Sequence, residues 1–278
     1  MSLNETYIIS DIDGTVVPHP YHSGQDQSSR ARYVARLETL MKNSHFSCVT
    51  GRTFDGWKNL FQDAGLEPHL PRLAGLSFGA DTYYHGKLLP KKAPSPEMKL
   101  AIRELKDELA KHPEFQKQTD FSGIQKFGLL HGFFIEEKSL ITQIDWSFPS
   151  EGLNLKFAEV VFQTLNPHLA IQSSLRCQVF HRRIDILSDG FVPKAQLSEY
   201  VARWVAETRL ESKHPVCYAF GDELYDDYLF ASLRSLEHKV FSKVVTIGVQ
   251  NGSKNVFRNA SHVLASPDEV WSFIEGSL

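Results

Sequence analysis

Short apolar runs that each stop at a cluster of acidic, hydroxyl or glycine residues recur at both ends of this chain, and they restrict its fold more than any other feature. TYIISDI (6–12) leads into Asp13, Gly14 and Thr15, HFSCV (45–49) into Thr50, Gly51 and Arg52, and VCYAF (216–220) into Gly221, Asp222 and Glu223. Apolar and β-branched residues without polar alternation mark a strand covered on both faces, as in a parallel sheet. Helical spacing fills the intervals. Tyr33, Val34, Leu37, Leu40 and Met41 predict a helix within 28–42, and a second spans 54–64. Leu197, Tyr200, Val201, Trp204 and Val205 predict one from Lys194, another follows Leu224, and the last starts at Pro267. With strands VVTIGV (244–249) and HVLA (262–265), these are successive βα units joined by right-handed crossovers.

The middle of the chain is different. After a third strand, RLAGLSF, the segment DTYYHGKLL reads as a hairpin turning at His85-Gly86, and KKAPSPEMK reads as a junction. Beyond it come an amphipathic helix over 97–111, strands in IQKFGLLHGFFIEE and LITQIDW, and a helix marked by Leu155, Ala158, Val161, Phe162 and Leu165. Strands in LAIQSSL and CQVFHRRIDIL complete it. The expected class is α/β: a Rossmann-like, doubly wound parallel sheet interrupted by an α+β module. The expected divisions are 1–82 and 189–278 for the core and 83–188 for the insertion.

Composition narrows the partners. Lys and Arg number 30 against 33 Asp and Glu, a net charge of −3, which lacks the basic excess that phosphate backbones attract, so nucleic acid is not an expected partner. The three cysteines, Cys48, Cys177 and Cys217, are scattered and show no CxxC spacing, as in a reducing compartment. The N-terminus MSLNETYIIS has no signal-peptide pattern, and no apolar run approaches the ~20 residues of a membrane span. A cytoplasmic protein with no membrane partner is expected.

Ligands of open parallel sheets bind beyond the carboxyl ends of the strands. Asp11, Asp13, Asp222, Glu223, Asp226 and Asp227 all fall there. Carboxylates crowded on one edge repel unless a cation compensates, and clustered hard oxygens suit Mg²⁺. A divalent metal is therefore expected.

Asp11-Ile12-Asp13-Gly14-Thr15, Thr50-Gly51-Arg52, Lys194, and Gly221-Asp222 with Asp226 resemble, in this order, the four motifs of the haloacid dehalogenase-type phosphohydrolases. The inserted module between Thr50 and Lys194 resembles the class IIB cap of that superfamily, whose members are largely sugar-phosphate phosphatases. Gly79-Ala80-Asp81-Thr82-Tyr83-Tyr84 resembles the Gly-rich strand entering the cap of the sucrose-phosphate and trehalose-phosphate phosphatases, and Asp185-Ile186-Leu187 with Gly190, Lys194 and Leu197 resembles the passage from cap to core of the sucrose-phosphate phosphatases. Ser266-Pro267-Asp268-Glu269-Val270 resembles the trehalose-phosphate phosphatases.

This resemblance implies a Mg²⁺-dependent phosphatase acting on a sugar phosphate through an aspartyl-phosphate. Asp11 would be the nucleophile and Asp13 the general acid and base, with Thr50, Gly51 and Lys194 on the phosphoryl oxygens. The implied metal ligands are Asp11, Asp13 through its backbone carbonyl, Asp222 and Asp226, the last alternatively orienting Lys194. Arg52 is either substrate-binding or paired with a core carboxylate, and Lys126 of the cap is a candidate for the sugar. His19 and His22 read as loop residues. A phosphosugar mutase of the same fold and a non-catalytic binding protein remain alternatives at this stage.

Overall fold

Every residue of β1 (Thr6–Ser10) is buried, because the strand lies inside an eight-stranded sheet with helices on both faces. In the computed structural model the described residues are 6–18, 27–63, 70–89, 92–115, 132–170, 174–208, 215–250 and 255–277. They divide into two units, Met1–Lys91 with Val192–Leu278, and Lys92–Phe191.

In the first unit the chain passes through α1 (Gln27–Asn43), β2 (His45–Val49), α2 (Phe54–Asp63), β3 (Leu73–Leu76), β4 (Asp81–Tyr84) and β5 (Lys87–Leu88). It re-enters after the second unit. The second unit comprises α3 (Pro96–Leu109), β6 (Gly132–Glu137), β7 (Ile141–Ser147), α4 (Glu151–Ala170), β8 (Leu175–Phe180) and β9 (Arg183–Ser188). The returning chain forms α5 (Leu197–Thr208), β10 (Val216–Gly221), α6 (Leu224–Arg234), β11 (Lys243–Val249), β12 (His262–Leu264) and α7 (Pro267–Ser277).

The large sheet has the order β12-β11-β10-β1-β2-β3-β4-β5. Pairing is parallel from β12 to β3 and antiparallel for β4 and β5. Successive residues of β1 face opposite sides. Ile8 joins Phe46, Cys48, Phe220 and Ile247 under Tyr33, Leu37, Trp57, Phe61 and Trp271 of the flanking helices. Tyr7 and Ile9 join Cys217 and Ala219 under Val201, Trp204, Leu229, Phe230 and Leu233. This is the expected α/β class. Burying each such side chain contributes about 1.5–3 kcal/mol, so both layers are needed to offset the entropy of ordering the chain.

Among the described residues the second unit is an antiparallel sheet, β6-β7-β9-β8, backed by two helices. Pro96 opens α3, and the Ser95 side chain accepts the Met98 N–H, which satisfies a donor the first turn leaves open. Met98, Ile102 and Leu105 pack with Phe157, Val161 and Leu165 of α4 over Phe133, Ile144, Trp146, Ile184 and Ile186. The opposite sheet face carries polar side chains, among them Gln143, Asp145, Arg183 and Asp185. Arg183 lies 3.3 Å from the Asp185 carboxylate and 4.1 Å above the centre of the Phe180 ring.

Three details depart from the sequence reading. The first change of unit comes at Lys91/Lys92, not at 82/83, because β4 pairs with β3 and β5 with β4, which ties residues 81–88 to the large sheet. The return comes at Phe191/Val192 where 188/189 was expected. LAIQSSL does not form a strand from its start: Leu169 and Ala170 end α4, which continues past Pro167, with Leu169 packed against the cap core.

Candidate active site at the carboxyl edge of the large sheet

β1 and β10 are parallel neighbours, and the chain moves outward from them in opposite directions, through β2 and β3 on one side and β11 and β12 on the other. Such a reversal opens a crevice at the strands' carboxyl ends. Asp11 stands at its lip, its N–H donating to Phe220 O at 2.9 Å. Its Oδ1 accepts the Ile12 N–H at 2.7 Å. On the β10 side the Thr15 hydroxyl donates to Asp222 Oδ1 at 3.1 Å, and the Asn255 amide donates to Asp222 O at 2.7 Å.

Lys194 closes the group from below. Its side chain is fully buried, with Nζ 2.8 Å from Asp11 Oδ2 and 2.7 Å from Asp226 Oδ1. The expected helix from Lys194 starts later, at Leu197, because Lys194 occupies the left-handed region at φ +63°. Its N–H donates to Phe78 O at 2.5 Å. The opposing turn makes room: Gly79 has φ +82°, and a Cβ there would lie 3.1 Å from Lys194 Cα. Asp226 is fixed by its place in the first turn of α6, where Oδ2 accepts the Glu223 N–H at 2.9 Å, half of a capping box. Gly221 is equally constrained, since a Cβ would fall 2.1 Å from Asp226 Cγ.

One ammonium among three carboxylates leaves the crevice negative. Burial raises the Asp11 carboxyl above its ordinary range against the pull of Lys194, with Asp226 raising it further. Asp222 is raised well above its usual value by burial and then by Asp11. Lys194 would be depressed by burial, but Asp11 and Asp226 outweigh that and hold it protonated. Asp11, Asp222 and Asp226 each present an oxygen, and these oxygens lie within 4.8 Å of one another. An all-oxygen, net-negative donor set of this size fits a hard divalent cation.

Thr50, at the end of β2, is buried; its N–H donates to Gly75 O at 2.8 Å, and its hydroxyl accepts the Arg52 N–H at 3.2 Å. Gly51 packs so closely on Phe78 that a Cβ would lie 2.6 Å from the ring. Of the two alternatives for Arg52, the geometry is the ion pair: Nε donates to Asp13 Oδ2 at 2.6 Å and Nη2 to Asp13 Oδ1 at 2.8 Å. Asp227 does not face the crevice, because Asn259 donates to both of its oxygens at 2.7 and 2.9 Å. Lys126, His19 and His22 lie outside the described residues. Sequence reasoning missed Asn255, although it follows β11 on the same sheet edge and the rule that singled out Asp222 would have reached it.

Comparison with known proteins adds three findings. The family model for sucrose-6F-phosphate phosphohydrolase matches residues 4–141, which takes in Asp11, Asp13 and Thr50 but not Lys194 or Asp222. No curated protein matches the sequence significantly. Among solved structures, the C-terminal domain of Candida albicans trehalose-6-phosphate phosphatase is 16% identical with a TM-score of 0.66, covering 100% of this chain and 93% of that one. A haloacid dehalogenase subclass IIB sugar phosphatase is 13% identical with a TM-score of 0.57, covering 98% and 99%. The C-terminal domain of the Candida albicans trehalose synthase regulatory protein is 10% identical with a TM-score of 0.59, covering 96% and 92%. At such identities the likeness is one of fold. The amino-terminal part of this chain is thus similar to the sucrose-6F-phosphate phosphohydrolase family, and its fold is similar to those of trehalose-6-phosphate phosphatases and a subclass IIB sugar phosphatase of the haloacid dehalogenase type.

Proposed function

We propose that the protein is a Mg²⁺-dependent phosphatase that hydrolyses a sugar phosphate, or a related small phosphate monoester, through an aspartyl-phosphate on Asp11. The buried Lys194 ammonium bridging Asp11 and Asp226 is the observation that carries this reading. A fully buried lysine between two carboxylates at a strand-end crevice is costly as structure alone, and it is well placed to hold a nucleophile ionised beside an incoming dianion.

In the first step an Asp11 oxygen bonds to phosphorus while the ester P–O bond breaks, and the carboxyl of Asp13 gives its proton to the departing alkoxide. In the second, a water yields its proton to the Asp13 carboxylate as its oxygen bonds to phosphorus and the Asp11 acyl phosphate opens. Inorganic phosphate and the free sugar alcohol leave, and Asp11 is restored. Thr50, Gly51 and Lys194 bind the equatorial phosphoryl oxygens. Asp11, Asp222, Asp226 and the Asp13 carbonyl would hold Mg²⁺, which when bound neutralises charge on the phosphoryl group. Lys194 also keeps Asp226 oriented.

The phosphoryl group is common to all monoesters, so discrimination must come from groups that bind the remainder of the substrate. We assign this to the inserted module, with Lys126 as one candidate, and the family match supports a sugar there. The free cysteines suit a cytoplasmic location, and no described helix is long and apolar enough to cross a membrane. The test is phosphate release from a panel of sugar monophosphates and disaccharide phosphates, with and without Mg²⁺. Metal-dependent release from a subset of them is expected, and no release from any of them overturns the assignment.

A further inference from the structure

We propose that Arg52 is a positioning residue for Asp13 and does not bind substrate, an inference that rests on the phosphatase reading and assigns to Asp13's orientation a residue of its own. The guanidinium fork takes both carboxylate oxygens at once, at 2.6 and 2.8 Å. Two parallel charge-assisted bonds fix the rotation of a carboxylate about its Cβ–Cγ bond, which a single bond does not. The two side chains are mostly buried, 17% and 21% exposed, so solvent screens the pair only partly.

The local structure explains why this arginine and this aspartate meet. β1 and β2 are hydrogen-bonded neighbours, and Asp13 and Arg52 each lie three residues past their strand's last residue. The Arg52 backbone is itself held, its N–H on the Thr50 hydroxyl at 3.2 Å and its carbonyl accepting the Ser77 N–H at 2.8 Å. The fork therefore reaches Asp13 from a fixed base, and Thr50, which faces the phosphoryl site, shares that base. A group that must first deliver a proton to the leaving oxygen and then take one from water works only if its oxygens stay within hydrogen-bond reach of both. Arg52 supplies that constraint through Asp13, without touching the reacting atoms.

Arg52→Lys keeps the positive charge and loses the fork; Arg52→Ala loses both. Kinetics of the purified full-length protein with a sugar phosphate and with p-nitrophenyl phosphate separate the possible roles. For the sugar phosphate, whose alkoxide needs a proton, kcat is expected to fall about 10- to 100-fold in either variant. For p-nitrophenyl phosphate, whose leaving group needs little help, kcat should fall less than about threefold, with KM for both esters within about twofold of wild type. In an Asp13→Asn background the further change Arg52→Ala should have almost no effect on kcat, because the residue it positions no longer transfers a proton.

A rise in KM with kcat preserved would make Arg52 a substrate ligand and overturn the proposal. Full additivity with Asp13→Asn would overturn it too. Crystal structures provide a readout independent of turnover: the Asp13 side chain should change rotamer or lose order in Arg52→Ala while Asp11, Lys194 and Asp226 stay in place. An unmoved Asp13 refutes positioning whether or not the wild-type protein proves to be a phosphatase, whereas a wild type inert toward every ester defeats the phosphatase reading instead.

Discussion

The Lys194 ammonium sits 2.8 Å from Asp11 Oδ2 although 183 positions separate the two residues. The two core segments on either side of the inserted module thus meet in one buried ion pair, extended by Asp226 at 2.7 Å. Removing the lysine would strand two carboxylates in a site from which water is largely excluded. Lys194→Met is therefore expected to lose about 3–5 kcal/mol in denaturant unfolding of the metal-free protein, the cost of breaking a buried pair from one side. An unchanged unfolding midpoint would mean that the bridge carries no stability.

Gly221 tests the same bridge through the backbone. A Cβ there would stand 2.1 Å from Asp226 Cγ, so Gly221→Ala must push the Asp226 carboxylate off Lys194. A destabilisation of about 1–3 kcal/mol is expected, with phosphatase turnover falling in parallel. The matched control is Gly152→Ala in α4, where an added Cβ meets nothing within 4 Å and stability should rise by about 0.4–1 kcal/mol. Equal thermal shifts in the two variants would contradict the crowding at Gly221.

The parallel strands were legible because a strand buried on both faces needs an uninterrupted apolar run, and TYIIS, HFSCV and VCYAFG supply one each. The polar residues that end those runs disclosed Asp11, Asp13, Thr50 and Asp222 for the same reason. What escaped the sequence depends on distant partners. The hairpin of β4 and β5 looks like a link to the cap until its hydrogen bonds to β3 place it in the sheet. Pro167 marks a helix end by local rules, yet α4 runs past it to Ala170, with Leu169 partly buried against the core of the inserted module. Nothing in the Asp226-Asp227 pair says which faces Lys194; Asn259, thirty-two positions from Asp227, settles that by taking the second carboxylate. The partner of Arg52 was undecidable for the same reason, since Asp13 lies thirty-nine positions earlier.

Asp145 gives the inserted module a defined response to pH. Burial pushes its carboxyl from 3.8 up to about 7, with Arg183 pulling it down and Asp185 raising it. The folded chain thus holds this proton more tightly than the unfolded chain. Its contribution to stability is highest below about pH 4, falls as pH rises toward 7 and is flat above that. Asp145→Asn retains a neutral side chain of the same shape. It should match the wild type at pH 4 and exceed it by about 1–3 kcal/mol at pH 8. A stability difference independent of pH would refute the raised carboxyl.

The carboxylate cluster makes a thermodynamic claim that does not require turnover. Because a cation binding only the folded state stabilises it, Mg²⁺ at about 100 times its dissociation constant should add about 2.7 kcal/mol, seen as a higher melting temperature that a chelator reverses. Asp222→Asn removes a buried carboxylate that Asp11 repels. That variant should be at least as stable as the wild type without metal and should show no Mg²⁺ response. A full Mg²⁺ shift in Asp222→Asn would remove Asp222 from the metal site.

A phosphoryl group carried by Asp11 is an acyl phosphate that can be trapped. The wild-type protein is mixed with a good sugar-phosphate substrate and Mg²⁺, quenched in acid within one turnover, digested and analysed by mass spectrometry. One phosphoryl group is expected on the peptide that contains Asp11, lost on brief exposure to mild base and absent from Asp11→Asn, which should fold normally without turning over. Phosphate release by Asp11→Asn at the wild-type rate, or a phosphoryl group trapped on any other residue, would contradict the assignment of Asp11 as nucleophile.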